Sequence, residues 1–126
     1  MNRTGWQDRY FESSDGLTLY YRDYPAPEPG RMPVMCLPGL TRNSRDFEAL
    51  ALWLQRGGRR VLTPDLRGRG RSQYDPTWSN YHPGTYLGDL ERLQVAAAAE
   101  RVIVIGTSLG GILAMLIAAT RPASVS

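Results

Sequence analysis

VIVIGTSLGGILAM, residues Val102 to Met115, is the stretch on which the reading of this chain turns. Its first part, Val102-Ile103-Val104-Ile105, is β-branched and suits a buried strand. Its second part, from Leu109, is rich in Leu, Ala and Met and suits a helix. Between them Gly106-Thr107-Ser108-Leu109-Gly110 makes a sharp turn with a serine at its centre. A serine at a strained strand-to-helix turn projects its hydroxyl clear of the sheet, and glycines two residues to either side let strand and helix close up. The free amides and positive dipole end of a helix starting there favour developing negative charge. A serine hydroxyl still needs a neighbouring base to act as a nucleophile at neutral pH. The residues after Ser108 include no histidine and no carboxylate.

Composition narrows the alternatives. A chain of 126 residues suits one small domain with one core. Its net charge is +3 and every basic residue is arginine. Without lysine, a P-loop nucleotide-binding site and Schiff-base chemistry are excluded. Cys36 is the single cysteine, so no internal disulfide and no cysteine-rich zinc site can form. It lies in the apolar run Val34 to Leu37 and reads as an inert core thiol. The N-terminal MNRTGWQDRY has no apolar stretch that could serve as a secretory signal, which makes the cytoplasm the expected location. The run from Val102 to Ala119 carries no charge, but its central glycines divide it into a strand and a helix, and no membrane span is expected.

Working outward, Tyr10 to Asp23 reads as a hairpin around Ser14-Asp15-Gly16. A proline-rich loop, Tyr24 to Gly30, follows it. Pro33 to Leu37 reads as a buried strand, then a helix capped by Asn43 or Ser44 runs to about Arg56. Phe47, Leu50, Ala51 and Leu54 lie on one face of that helix, and Gly57-Gly58 stops it. Arg60 to Thr63 suits a further strand, Tyr74 to Gly84 an irregular loop, and Thr85 to Ala99 a helix presenting Tyr86, Leu90, Leu93 and Ala97. Arg121-Pro122 ends the last helix. Strands alternating with helices imply a mostly parallel sheet flanked by helices on both faces, behind an N-terminal hairpin.

Three separated motifs together resemble the N-terminal half of an α/β-hydrolase-fold protein. They are Leu37-Pro38-Gly39-Leu40 after the third strand, Asp65-Leu66-Arg67-Gly68-Arg69-Gly70-Arg71-Ser72 after the fourth, and the turn Gly106 to Gly110 after the fifth. Their order and spacing match the family from about Tyr10 onward. The resemblance implies that residues 1–126 are the N-terminal part of one α/β-hydrolase domain. It also implies that Ser108 is the nucleophile, and that the backbone amides of Leu109 and Leu40 form an oxyanion hole. Gly39, Leu40 and Leu109 would then line the substrate. The family usually has a histidine before the glycine of its oxyanion loop, where this chain has Pro38. A serine at the elbow points away from the dehalogenase and epoxide-hydrolase branches, whose nucleophile is a carboxylate. The implied substrate is a small acyl compound: an ester, a lactone, an amide or a carbon–carbon bond beside a carbonyl. No metal or organic cofactor is implied.

The Arg67 to Arg71 loop could suggest a nucleic-acid box. Within the hydrolase reading it is a solvated loop braced by an Asp65–Arg67 pair, and no nucleic acid is expected. His82, the only histidine, precedes Ser108 in the sequence and reads as a loop or rim residue. By the resemblance the last three strands, the lid, the triad acid and the triad histidine are lacking, which leaves the fifth strand as an exposed edge open to association. The expectation is a serine hydrolase truncated to a form inactive alone. The alternatives are one half of a split hydrolase, or a non-catalytic binding module on the same scaffold.

Overall fold

A computed structural model describes residues 5–27, 30–39 and 44–126. The hairpin comes first, with β1 (Gln7–Glu12) antiparallel to β2 (Thr18–Tyr24) around the Asp15-Gly16 turn. Next are β3 (Val34–Leu37), α1 (Glu48–Arg56) entered through a 3-10 turn at Ser44–Phe47, and β4 (Val61–Pro64). The chain continues through α2 (Pro83–Ala96), β5 (Ile103–Gly106) and α3 (Leu109–Thr120). The sheet order is β1-β2-β4-β3-β5. It is mixed, since β2 pairs antiparallel with β4 while β3 is parallel to both β4 and β5.

The period of two along β3 sets the layers. Val34 and Cys36 point to the side of α1 and pack with Tyr24, Phe47, Ala51 and Val61. Met35 and Leu37 point the other way, into a cluster with Leu90 and Leu93 of α2 and Leu113 and Ile117 of α3. Helices therefore cover both faces. Burial leaves Cys36 fully covered and pushes its thiol up to about 12, so it is inert packing.

Two expectations need correction. Helix α2 begins at Pro83, two residues before the sequence reading placed it, and ends at Ala96 instead of Ala99. His82 stands in extended conformation as its N-cap and accepts a hydrogen bond from the Gly84 amide through Nδ1, while Pro83 fits the first helical position. Ala98 takes a positive φ of 52°, which terminates the helix.

The second correction concerns Arg67, which does not pair with Asp65. Asp65 is occupied by backbone amides, with Oδ1 accepting from Ser44 and Oδ2 from Arg71. Arg67 is 1% exposed and binds three other carboxylates. Its guanidinium donates twice to Asp89 on α2 (3.0 and 2.7 Å), twice to Asp15 in the hairpin turn (2.7 and 2.9 Å), and once to Asp75 (2.8 Å). The fork geometry of arginine makes this multiple bidentate grip possible. Instead of a solvated loop, the arginine is an internal tie between the hairpin, the loop after β4 and α2.

Candidate active site at the β5–α3 elbow

Strands β3 and β5 run side by side and end together, with Leu37 level with Gly106. The chain leaves β5 through Thr107, whose amide donates to the Leu37 carbonyl at 3.2 Å. It then turns at Ser108 and enters α3 at Leu109. Ser108 has φ 55° and ψ −118°, one of only two non-glycine residues with positive φ among the described residues. A non-glycine residue held there stores roughly 1–3 kcal/mol of strain, and strain of this kind clusters at functional sites. The side chain is exposed and makes no capping hydrogen bond to the helix it precedes. Its hydroxyl is thus presented outward, at the end of the sheet.

The glycines explain why the turn can be so tight. A Cβ on Gly106 would lie 2.2 Å from the carbonyl oxygen of Gly110, and a Cβ on Gly110 would lie 2.1 Å from that of Leu37. Both collisions are with backbone, which cannot swing aside. Gly111, in contrast, meets nothing closer than 3.5 Å and belongs to the helix, not to the elbow.

Leu109 opens α3, where the first amides of a helix have no intrahelical partner. Leu37, Pro38 and Gly39 are buried, and a Cβ on Gly110 would also come within 2.9 Å of the Pro38 carbonyl oxygen, so the loop after β3 leaves directly beside the elbow. Proline in place of histidine is accommodated at this crossing. Leu40 and the alternative helix cap Asn43 lie outside the described residues.

Among the described residues, no base is hydrogen-bonded to the Ser108 side chain. Both ring nitrogens of His82 are engaged at the start of α2, Nδ1 with the Gly84 amide and Nε2 at 3.1 Å from the Thr85 hydroxyl. Among the described residues, none of the side-chain hydrogen bonds reaches Ser108, and no three His, Cys, Asp or Glu side chains gather as a metal site. A surface cleft of about 440 Å³, lined by Gln94, Ala98, Arg121 and Ser124, lies at the C-terminal end of α3, opposite the elbow.

The sequence reading missed the carboxylates around Arg67. Burial raises the pKa of Asp89, opposed by Arg67. The Arg67 hydrogen bonds, with one from Ser13, hold Asp15 well below the usual carboxylate range. Asp75 is lowered by Asn80 and the Thr77 amide, with Arg67 adding to them.

A family model described as the alpha/beta hydrolase fold matches residues 32–126. The chain belongs to the α/β-hydrolase-fold family. Among curated members, the 3-hydroxybutyrate-oligomer hydrolase of Cupriavidus necator is 37% identical over 97 residues, covering 77% of this chain and 32% of that protein. The sn-1-specific diacylglycerol lipase ABHD11 of Danio rerio is 35% identical over 91 residues, covering 71% of this chain and 28% of that protein. A crystal structure of an alpha/beta hydrolase from Novosphingobium aromaticivorans superposes with a TM-score of 0.91 at 52% identity, covering 98% of this chain and 43% of that one. The chain thus spans about a third of the length of these curated relatives. Among the described residues no helix is long and apolar enough to cross a membrane.

Proposed function

We propose that this chain carries the nucleophile of a serine hydrolase that cleaves acyl bonds through an acyl-enzyme on Ser108. The observation that carries the proposal is the strained, outward-facing Ser108 between two glycines whose missing side chains let β5, α3 and the end of β3 meet. Strain at one residue is a cost that a bare binding scaffold has no use for. In the first step a base removes the Ser108 proton as Oγ attacks the substrate carbonyl carbon. The oxygen gains negative charge in the tetrahedral intermediate and receives hydrogen bonds from the amides of Leu109 and Leu40. Collapse expels the protonated leaving group, and water then releases the acid product and restores the serine.

Esters are the first substrate class to try, because the relatives include an oligomer hydrolase and a lipase. Gly39, Leu40 and Leu109 would border the acyl group. The base and its acid partner lie outside these 126 residues, since His82 is committed to capping α2. These 126 residues alone are therefore expected to be inactive.

Incubation of the purified chain with a fluorophosphonate, followed by peptide mass mapping, tests this placement of the base. The expected result is no adduct on Ser108 at neutral pH above the level of Ser108→Ala. Stoichiometric adduct on the lone chain would mean that an activating base sits within it.

A further inference from the structure

Two buried polar atoms on neighbouring strands are left without a partner. Arg22 and Thr63 are directly paired across β2 and β4, so their side chains share one face of the sheet, the face that α1 covers. Arg22 is 7% and Thr63 0% exposed. Among the described residues, neither Arg22 Nε nor Thr63 Oγ1 has a hydrogen-bond partner. The rest of the Arg22 guanidinium is fixed. Its Nη1 donates to the Tyr24 hydroxyl at 3.2 Å and to Glu48 at 3.0 Å, and its carbon stands 3.8 Å from the centre of the Trp6 ring. A buried charged group with an unmet donor is costly, so Nε calls for an acceptor.

Arg22 also lines a cavity of about 220 Å³. Arg45 and Arg71 line it too, with Tyr20, Ser44 and a single carboxylate, Asp65. Both oxygens of Asp65 already accept from backbone amides, those of Ser44 and Arg71. The other carboxylates at hand, Glu48 on Arg22 and Asp8 on Arg71, are half-exposed, where water weakens their pairing. Three arginines against one carboxylate make the wall positive. It is built by β2, the turn before α1 and the loop after β4, and β3 separates β4 from the strand that ends at the elbow.

We infer that this cavity binds a small oxyanion, a carboxylate or phosphate group, with Arg22 Nε as the buried donor and Arg71 at the mouth. The planar fork of arginine matches the oxygens of either group. Trp6, Tyr24 and Glu48 hold that fork in place before a ligand arrives. Water would satisfy Nε, but only an anion also answers the positive wall. The inference is independent of the role of Ser108.

Titration of the purified chain with sodium phosphate and, separately, sodium acetate tests it, with the Arg22 Nε–H resonance in proton–nitrogen correlation spectra as the reporter. The resonance should move and saturate with at least one of them, and the one that saturates at lower concentration names the head group. That salt should also raise the melting temperature, because it binds the folded chain. Arg22→Lys keeps the charge but removes the Nε donor and should lose that rise, with circular dichroism showing whether it folds. Arg71→Gln, at an exposed position, serves as a second variant and should raise the saturating concentration about threefold. Four results would overturn the inference: a resonance that neither salt moves, equal movement with sodium chloride at the same ionic strength, a full melting-temperature rise in folded Arg22→Lys, or unchanged saturation in Arg71→Gln.

Discussion

Alanine at Gly110 is expected to be strongly destabilising. Its added Cβ would stand 2.1 Å from the Leu37 carbonyl oxygen, 2.6 Å from its carbon and 2.9 Å from the Pro38 oxygen. Relief requires α3 to separate from β3, which would open the cluster that holds Leu37, Leu113 and Ile117. Overpacking costs typically about 1–3 kcal/mol when side chains can adjust, and here the collision is with backbone, so the loss should reach at least ~3 kcal/mol. A domain of this size has roughly 5–15 kcal/mol in total. Gly106→Ala should behave alike, since its Cβ would meet Gly110 and Gly111 backbone atoms at 2.2 to 2.6 Å. Gly111→Ala is the control, with ordinary contact distances and a helical backbone, and should be neutral or stabilising by up to about 1 kcal/mol. Ser108→Gly should also stabilise, by about 1 kcal/mol, because glycine tolerates φ 55°. Thermal melts of the four variants check the set. Equal melting of Gly110→Ala and Gly111→Ala would refute the elbow geometry.

Arg67→Met should cost about 3–5 kcal/mol at pH 7, because it strands buried carboxylates without their cation. The cost should depend on pH. Asp15 and Asp75 have lowered folded pKa values, so the stability they contribute is fully present above the unfolded carboxylate range near 4 and is lost as pH falls through their folded values. Asp89 is raised, so its ionisation opposes folding and its protonation relieves that opposition. In the variant all three carboxylates lose the arginine, and protonating them becomes favourable. The gap between parent and variant should therefore narrow as pH falls from 7 towards 4. Urea unfolding at both pH values measures it. A variant as stable as the parent at pH 7 would mean that Arg67 is not the tie between hairpin, loop and α2.

These two sites also divide what the sequence disclosed from what it did not. The elbow was legible because its determinants are contiguous: a β-branched run, two glycines and an apolar helix lie within Val102 to Met115. The layers were legible because Val34 to Leu37 is a continuous apolar run bounded by prolines, as a strand covered on both faces requires, and Tyr86, Leu90, Leu93 and Ala97 recur at helical spacing. The Arg67 tie was not, because its partners lie 52, 8 and 22 residues away and nothing local marks them. Proximity in the chain suggested Asp65 instead, but that carboxylate goes to the Ser44 and Arg71 amides. The start of α2 precedes the expected Thr85 because proline suits a loop by composition, yet it is equally favoured in the first turn of a helix. His82 gave no local sign that its ring caps a helix.

The most direct test of the central claim, that Ser108 is a nucleophile positioned by this chain and activated from outside it, is ester hydrolysis by a single-chain chimera. Residues 1–126 would be fused to the part of the Novosphingobium hydrolase that lies outside the match. The chimera should hydrolyse a p-nitrophenyl ester. Ser108→Ala within it should reduce kcat by at least about 10³-fold, as expected when an acyl-enzyme nucleophile is removed. A Ser108→Ala chimera as active as its parent would contradict the account.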